Sequence, residues 1–311
     1  MRSGEEQRAA IAALPWRGPD GERPKALPLP DGKLPLRFDG GLRKRWRYVS
    51  AFGDELMVCA ASVQVGPAAQ TFWAVLDRET GELHERTKMR LPGARGEVWN
   101  EGSDGRPLEI GMSERGAVNH FESGEIRGRI KIGEGMWQEC VCPAPDGKSH
   151  RFVWTRKRVA PVEVDIRLPG EKRVRAAMRG IEDETAGYHP RNTVWSWSAG
   201  IGETTDGRAV GWNLVEGVND PAVGSERAIW VDGEDGIREP GPVSFDEDLG
   251  GISFGSGRRL DFSGEAERTR TENKGYVRYS YRQPFGTFSG SLDGLELASG
   301  IGVMEFHDAV W

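Results

Sequence analysis

The segment from Gly187 to Gly202 reads GYHPRNTVWSWSAGIG and brings aromatic, titratable and cationic residues together in sequence. In an unbroken strand, the two-residue period places these side chains on one face: His189, Arg191, Thr193, Trp195 and Trp197. Two indoles beside an imidazole and a guanidinium predict a surface for an oxygenated lipophilic molecule. The alternative is that both tryptophans are core residues and that His189 and Arg191 form a solvated strand end, where Pro190 weakens pairing.

A second candidate lies in the C-terminal segment GIGVMEFHDAVW, from Gly300 to Trp311. Glu305 and His307 are two residues apart, so a strand projects both side chains the same way. We expect the carboxylate to orient the imidazole and to raise its pKa, which suits general acid–base chemistry near neutral pH. The alternative is a frayed, solvated chain end. Trp311 speaks against this alternative, because a tryptophan is an unusual residue in an unpacked tail.

The segment VGWNLVEGVND, from Val210 to Asp220, places Trp212 and Leu214 on one side of a strand and Asn213 on the other. An amide in an apolar strand needs hydrogen-bond partners, and either a ligand or the backbone can supply them. We therefore count Trp212 and Asn213 among the candidate ligand-binding residues.

Three other patterns are set aside. Gly251-Ile252-Ser253-Phe254-Gly255 matches the elbow of serine hydrolases, but the helix that this elbow needs does not follow, so we predict a glycine-rich strand or turn. The basic run from Arg43 to Arg47 is predicted to be a solvated strand end rather than a nucleic-acid contact, because it is short and the chain is acidic. The histidines are widely spaced and form no metal-binding motif, so we expect no metal site.

The composition restricts the class of protein. The chain has 311 residues, with 43 Gly, 18 Pro and a formal net charge of −6. The sequence contains no apolar run of roughly 18 residues, so no membrane-spanning helix is predicted. Three cysteines without a Cys-x-x-Cys pair favour reduced core residues. Since the N-terminal segment lacks the apolar stretch of a signal peptide, we expect a cytoplasmic protein. We also expect that the protein uses no cofactor and binds no nucleic acid.

The periodicity predicts an all-β antiparallel fold. A short helix over Glu5 to Leu14 and a proline-rich arm occupy residues 1–40. Beyond the arm, strands with alternating apolar and charged residues are separated by turn signals. The alternating runs and the turn dipeptides are Ile126–Ile132, Pro161–Leu168, Tyr276–Arg282, Thr80-Gly81, Asp104-Gly105, Asp146-Gly147, Asp206-Gly207, Asp232-Gly233 and Asp293-Gly294. These features predict barrel-like or sandwich-like halves.

We place the two β domains at residues 41–180 and 181–311. A weak internal repeat supports two halves, because Trp73 and Trp230 each lie in a predicted strand that ends in an aspartate, Asp77 or Asp232. Such a pattern also arises by chance in β proteins, so gene duplication stays open.

Several motifs together resemble a known family. They are Leu14-Pro15-Trp16-Arg17-Gly18-Pro19, Tyr188-His189, Trp195-Ser196-Trp197-Ser198-Ala199-Gly200, Trp212-Asn213-Leu214, Gly217-Val218-Asn219, Pro284-Phe285-Gly286-Thr287-Phe288-Ser289-Gly290 and Gly302-Val303-Met304-Glu305. On these motifs the chain is identified as a member of an actinobacterial-type family of unknown function, domain of unknown function 2804. That family distantly resembles the lipocalin-like carotenoid hydratases and the Diels–Alderase-type cyclases.

The resemblance implies two calycin-like β domains with an apolar ligand cavity, and acid catalysis in which aromatic walls stabilise a cation. Val194 stands where a hydratase-like histidine is expected directly before Trp195, so His189 is the nearest imidazole in sequence.

We therefore expect a protein that binds a small isoprenoid-like or polyketide-like lipophile, with cofactor-independent hydratase, isomerase or cyclase chemistry. The alternatives are a non-catalytic carrier and a structural or interaction protein without a ligand. The candidate catalytic residues are His189, Arg191, Glu305 and His307, and the candidate ligand-binding residues are Tyr188, Trp195, Trp197, Trp212 and Asn213.

Overall fold

The structure is a computed structural model that describes residues 4–19, 22–30, 34–90, 108–113, 116–123, 125–146, 150–273 and 278–310. In this part of the chain one α-helix occurs, α1 (Gly4–Ala12), and a short 3-10 helix spans Pro169–Glu171. Helix α1 ends three residues before Pro15, where the chain enters the predicted arm. No helix in these ranges has the length and apolarity needed to cross a membrane.

Strands account for most of the remaining described residues. In chain order they are β1 (Trp16–Arg17), β2 (Arg37–Phe38), β3 (Gly41–Leu42), β4 (Lys44–Phe52), β5 (Leu56–Val65), β6 (Ala68–Asp77), β7 (Glu82–Arg90), β8 (Leu108–Ser113), β9 (Gly116–Ser123), β10 (Ile126–Ile132), β11 (Trp137–Pro143), β12 (Phe152–Arg167), β13 (Arg173–Gly187), β14 (Asn192–Thr204), β15 (Ala209–Glu216), β16 (Ala228–Val231), β17 (Val243–Phe245), β18 (Gly251–Phe254), β19 (Arg259–Asn273), β20 (Arg278–Leu292) and β21 (Leu295–Val310).

The strands form two large sheets and one small one. The first runs in the order β7-β6-β5-β4-β13-β12-β10-β9-β8, and β11 joins it by pairing with β12 and β1. The second runs β16-β15-β14-β21-β20-β19-β18-β17, and β2 pairs with β3. The neighbouring strands that define the second sheet pair antiparallel. The predicted all-β antiparallel class and the short N-terminal helix are confirmed.

The chain divides into two compact units, each discontinuous in sequence. The first unit comprises Met1–Lys44, Gln138–Lys157 and Thr185–Trp311, and the second comprises Arg45–Trp137 and Arg158–Glu184. Strands β12 and β13 each contribute residues to both units. The predicted boundaries at residues 40 and 180 stay predictions, because compactness alone does not show which segments fold independently.

Buried and exposed side chains alternate along the predicted strands. In β12, Val162, Val164 and Ile166 are buried whereas Glu163 is exposed. The predicted strand at residues 126–132 is β10, with its isoleucines buried. All three cysteines are free and buried, as expected.

Two turn regions illustrate the local chemistry. Asp293 and Gly294 join β20 to β21 with φ angles of 46° and 94°, the positive values that a tight hairpin needs. Gly251–Phe254 is strand β18 and is followed by a turn and then β19, so the Gly-x-Ser-x-Gly string is a strand and not a hydrolase elbow. Tyr276, Val277, Asp104-Gly105, Gly147 and Trp311 lie outside the described residues.

The second sheet has an apolar side that forms the core of the first unit. Trp212 and Leu214 of β15 lie on this side, together with Met304 of β21. The other buried members of the cluster are Val210, Ile229, Val231, Val243, Leu249, Ile252, Phe254, Leu260, Phe288, Leu292 and Leu295. Because side chains alternate, the neighbouring residues Asn213 and Glu305 point to the opposite side of the sheet.

A close contact between β14 and β15 fixes the position of the Trp212 indole on the apolar side. Gly200 pairs with Trp212, and a Cβ atom on Gly200 would lie 2.2 Å from Cζ2 of that indole. The indole Nε1 donates a hydrogen bond to Ser198 Oγ at 3.1 Å. The glycine therefore leaves room for the ring to lie against the neighbouring strand.

We predict that Gly200→Ala lowers the free energy of unfolding by about 1–3 kcal/mol, because the added methyl group overpacks the core. Urea unfolding of the purified variant measures this change. Gly236→Ala is the matched control, since Gly236 is exposed and a Cβ there meets no atom within 4 Å. An equal effect of the two substitutions would contradict the packing argument.

Candidate functional site

The segment that holds the predicted aromatic surface is not one unbroken strand. Strand β13 ends at Gly187 and β14 begins at Asn192, so His189 and Arg191 lie in the connection between them. Pro190 has no N–H to donate to a strand neighbour, which explains the interruption. His189 is buried and Arg191 is exposed. The expectation that both share one strand face with the two tryptophans is therefore wrong.

His189 is buried in the first unit beside the buried Lys44. The Lys44 Nζ donates hydrogen bonds to the carbonyl oxygens of His189 and Pro190, at 3.2 and 2.8 Å. Burial, with a smaller contribution from the Arg151 charge, lowers the pKa of Lys44 to about 7. Burial and then the Lys44 charge lower the pKa of His189 well below its ordinary value. His189 is therefore a neutral imidazole at pH 7.

Tyr188 anchors the N-terminal arm. Its hydroxyl donates a hydrogen bond to the Pro35 carbonyl oxygen at 2.8 Å, and its ring stacks on Phe38 with a centroid distance of 5.2 Å. Phe152 meets the same ring edge-on at 5.6 Å. Burial raises the pKa of Tyr188. These contacts account for the tyrosine as a packing residue of the arm.

The side of the second sheet opposite the apolar core carries most of the predicted site. Trp195 pairs with His307, and Trp197 pairs with Glu305. On the next strand along the sheet, Tyr281 pairs with His307. We call this side the polar face and define it by Trp195, Trp197, Asn213, Arg268, Tyr281, Gln283, Glu305 and His307.

A chain of hydrogen bonds crosses the polar face from β14 to β19. The Trp195 Nε1 donates to Glu305 Oε1 at 2.9 Å, and the Gln283 Nε2 donates to Glu305 Oε2 at 3.2 Å. Arg268 Nη1 in turn donates to Gln283 Oε1 at 3.3 Å. Both oxygens of the buried Glu305 thus accept an N–H, an arrangement that suits an ionised carboxylate.

A second group of polar contacts surrounds Trp197. Its Nε1 donates to Asn213 Oδ1 at 2.6 Å, and Asn213 Nδ2 donates to the Glu226 carbonyl oxygen at 2.9 Å. The Lys157 Nζ lies 3.0 Å from Glu226 Oε1 and 5.7 Å from the centre of the Trp197 ring. The protein itself therefore supplies partners for the Asn213 amide.

His307 lies among aromatic rings. Its imidazole centroid is 4.2 Å from the Trp195 ring and 5.4 Å from the Tyr281 ring. Burial lowers the pKa of His307 to about 3, so the imidazole is neutral at pH 7. The expected rise of this pKa is therefore wrong in direction, because the aromatic surroundings desolvate the ring while the Glu305 oxygens accept hydrogen bonds from Trp195 and Gln283.

The structure thus gathers some of the predicted residues and separates others. The polar face holds Trp195, Trp197, Asn213, Glu305 and His307. Trp212 is fully buried in the apolar core on the opposite side, where it meets Phe288 edge-on. The candidates that lie off this face are Tyr188, His189, Arg191 and Trp212.

Sequence reasoning missed several members of the site. Gln283 contacts Glu305 because β20 lies next to β21, and Arg268 contacts Gln283 because β19 lies next to β20. The period of β20 would have placed Gln283 on the same side as Tyr281, but nothing in the sequence identifies the strand that pairs with it. Among the described residues, no cluster of His, Cys, Asp and Glu is arranged to hold a metal ion.

A family model described as domain of unknown function, DUF2804, matches residues 39–311. The chain belongs to the DUF2804 family. The match covers every strand from β3 to β21, and therefore the whole polar face of this DUF2804 chain. Comparison with curated protein sequences gave no match.

Solved structures share this fold at low sequence identity. Kievitone hydratase from Nectria haematococca is 15% identical with a TM-score of 0.55, over 86% of this chain and 89% of that one. A candidate AttH protein from Nitrosomonas europaea is 13% identical with a TM-score of 0.50, over 89% and 97% of the two chains. CghA aligns at a TM-score of only 0.38 and 9% identity, over 86% and 88%, and carries no argument. At these identities the likeness establishes the fold of the DUF2804 chain alone.

We predict that His307→Gln makes the protein less sensitive to acid. The unfolded His307 takes up a proton as the pH falls through about 6.5, whereas the folded one stays neutral to about pH 3, so its burial lowers stability throughout that window. Removing the imidazole should weaken the loss of stability by up to about 1.4 kcal/mol per pH unit between pH 6.5 and pH 3.

Urea unfolding at pH 7.0, 5.5 and 4.5 measures this difference between the variant and the original protein. His150→Gln is the control, because the His150 side chain is exposed. Parallel stability–pH curves for His307→Gln and the original protein would contradict a neutral, desolvated His307.

Proposed function

We propose that the polar face binds a small, oxygenated lipophilic molecule and catalyses proton transfer on it without a cofactor. The ligand lies against the Trp195 ring, with a carbonyl oxygen directed at His307. Of the hydratase, isomerase and cyclase chemistries expected from the sequence, the one that fits this arrangement starts with removal of a proton from carbon. The reaction class is therefore an isomerisation or cyclisation through an enol.

Of the two indoles, the half-buried Trp195 supports binding of a lipophile, whereas Trp197 is buried. Trp195 is half-buried, and its N–H is already committed to Glu305. The Trp197 N–H is likewise committed to Asn213. An indole whose donor is satisfied offers a large apolar ring without leaving a polar atom unpaired, so contact with hydrocarbon is favourable.

The pairing of Glu305 with a neutral His307 is the single observation that carries the chemical part. The two residues project from the same side of β21, and Trp195 contacts both. A carboxylate accepts a proton, while a neutral imidazole donates a hydrogen bond to an oxygen that gains charge. In the proposed step, the C–H proton next to a carbonyl moves to Glu305, and the electron pair moves to the carbonyl oxygen facing His307.

The structure of the hydrogen bonds also favours a second candidate, a carrier without catalysis. Both oxygens of Glu305 already accept N–H donors from the protein. If these bonds hold the carboxylate permanently, the same face orients a ligand and does not react with it. Kievitone hydratase, a protein of similar fold, is an enzyme by its name, but at 15% identity that name assigns no reaction to this chain.

We predict that Trp195→Ala loses most of a co-purifying lipophile. Protein purified from its own host is extracted with organic solvent, and the extract is quantified by mass spectrometry. Loss of the ring contact should lower the amount per protein about tenfold or more. Trp195→Phe keeps an aromatic face and should retain part of the ligand.

Trp46→Ala is the control for this experiment, because Trp46 is also a half-buried tryptophan but lies on β4. Equal amounts of the compound in all variants would contradict binding at Trp195. Circular dichroism of each variant separates loss of the ligand from loss of the fold.

We predict that Glu305→Gln slows proton exchange on the extracted compound. In D₂O, the original protein should introduce deuterium at the carbon next to the carbonyl, and the rate should fall about 100-fold or more in Glu305→Gln. His307→Leu should lower the rate less, because the hydrogen bond to the oxygen is lost while the base remains. Binding without any deuterium uptake by the original protein would establish the carrier and refute the enzyme.

A further inference from the structure

The solvated basic residues of the second unit lie outside the basic run that the sequence singles out. The sequence predicts a solvated strand end for the run from Arg43 to Arg47, yet Arg45 and Arg47 are buried. That prediction is wrong because Glu182, 135 residues away on a neighbouring strand, accepts a hydrogen bond from Arg47 Nε at 2.7 Å. Solvated basic residues lie instead on β10, β12 and β13.

These three strands are neighbours in the first sheet, and each has an apolar side and a charged side. Ile130 of β10, Val164 of β12 and Val174 of β13 belong to the buried core of the second unit. The intervening residues point the other way, because successive side chains of a strand alternate. We call this other side the basic face and define it by Arg127, Arg129, Lys131, Glu163, Asp165, Arg167, Arg173, Arg175 and Arg179.

Basic side chains dominate this face, although the chain as a whole is acidic. Seven of the nine residues are arginine or lysine, whereas the chain has 48 acidic and 42 basic residues. The acidic Glu163 is matched, because the Lys131 Nζ donates to its Oε2 at 3.0 Å. Lys131 and Glu163 therefore add no net charge to the basic face.

The pairing of β10 with β12 sets two arginines directly opposite each other, Arg127 and Arg167. Like charges in this position destabilise a sheet. Arg127 also has acidic residues nearby in the fold, since Glu125 precedes it by two residues and the register places Glu122 of β9 opposite it. We therefore leave Arg127 out of the charge balance of the basic face.

Four further arginines of the face are grouped around one carboxylate, that of Asp165. Arg173 Nε and Arg175 Nε donate to Asp165 at 2.7 and 3.2 Å, and Arg129 lies opposite Asp165 in the register of the two strands. Arg167 is the next outward residue on β12. All four arginines are exposed. This group therefore carries three positive charges in excess, and it attracts anions to this side of the unit.

A planar anionic surface fits this array better than a nucleic acid does. Neighbouring strands are about 4.8 Å apart and successive outward residues about 7 Å apart, so the guanidinium groups spread in two dimensions. Duplex DNA is read by an element that enters a groove, and single strands stack on aromatic rings. The nine residues of the basic face include no aromatic residue. Guanidinium groups bind phosphate through paired hydrogen bonds.

We propose that the basic face docks the protein on an anionic phospholipid membrane. Arg129, Arg167, Arg173 and Arg175 contact lipid phosphate groups, while Asp165 holds Arg173 through two hydrogen bonds of 2.7 Å. Each basic residue near such a surface strengthens binding about fivefold, and salt weakens it. Because the chain as a whole is acidic, the docking is reversible and orients the second unit with this face toward the lipid.

Co-sedimentation with lipid vesicles tests the docking. One set of vesicles is phosphatidylcholine alone, and the other contains about 30% phosphatidylglycerol. In 50 mM salt, the protein should partition onto the anionic vesicles about tenfold or more strongly than onto the neutral ones. Raising the salt to 200 mM should weaken this binding severalfold, because the lipid charge is screened.

A double variant, Arg167→Gln with Arg175→Gln, removes two charges from the basic face. Its partition coefficient on anionic vesicles should fall about tenfold or more. The matched control is Arg37→Gln with Arg258→Gln, which removes two exposed arginines from the first unit and should stay within twofold of the original protein. Circular dichroism verifies the fold of both variants.

The opposite results overturn the docking. Equal partitioning onto neutral and anionic vesicles would do so, and so would equal losses in the two double variants. Tighter binding to duplex DNA or to polyglutamate than to anionic vesicles at the same salt would identify a nucleic acid or an acidic protein as the partner instead. Because the vesicles contain none of the extracted compound, failure here leaves the function proposed for the polar face untouched, and the reverse also holds.

Discussion

The two-residue period of strands β14 and β21 is the constraint on which the site depends. Both strands lie in the middle of the second sheet, so each contributes side chains to its apolar side and to its polar side. Trp212 packs against Gly200 on the first side, and the hydrogen bond from Trp195 to Glu305 lies on the second. A register shift of a single residue would exchange the two sides, so the core and the site specify the same alignment.

The polar face shows how buried charge is kept tolerable in an antiparallel sheet. Glu305 receives N–H donors from two neighbouring strands, and the Asn213 amide is bonded on both its oxygen and its nitrogen. Such cross-strand contacts rigidify the side chains. In the second unit, the buried Glu182 likewise accepts hydrogen bonds from Arg47 and Arg158. Among the described residues, however, Arg47 Nη1 has no hydrogen-bond acceptor.

Local patterns in the sequence sufficed for the strand class and for part of the site. Alternation alone placed Glu305 and His307 on one side of a strand, and it separated Asn213 from Trp212. It failed at His189, because a pattern with period two does not register the interruption at Pro190. Local reasoning could therefore propose which side chains share a strand face, provided that the strand continues.

Contacts between distant strands were beyond such reasoning. Gln283 and Arg268 join the site through the order of strands in the sheet, which no short motif encodes. The same limit reversed the expected pKa shift of His307, since the Trp195 and Tyr281 rings that desolvate it come from two other strands. It also hid the burial of Arg47, whose acidic partner lies far along the chain.

The discontinuous first unit has a consequence for how the chain is synthesised. Trp16 and Arg17 pair with Val141 and Cys140, and Tyr188 holds the arm at Pro35. As the chain leaves the ribosome, the arm emerges long before these partners exist, and residues 45–137 of the second unit appear in the interval. The nascent arm is therefore without these partners, and accessible to proteases and chaperones, until β11 and then β13 have been synthesised.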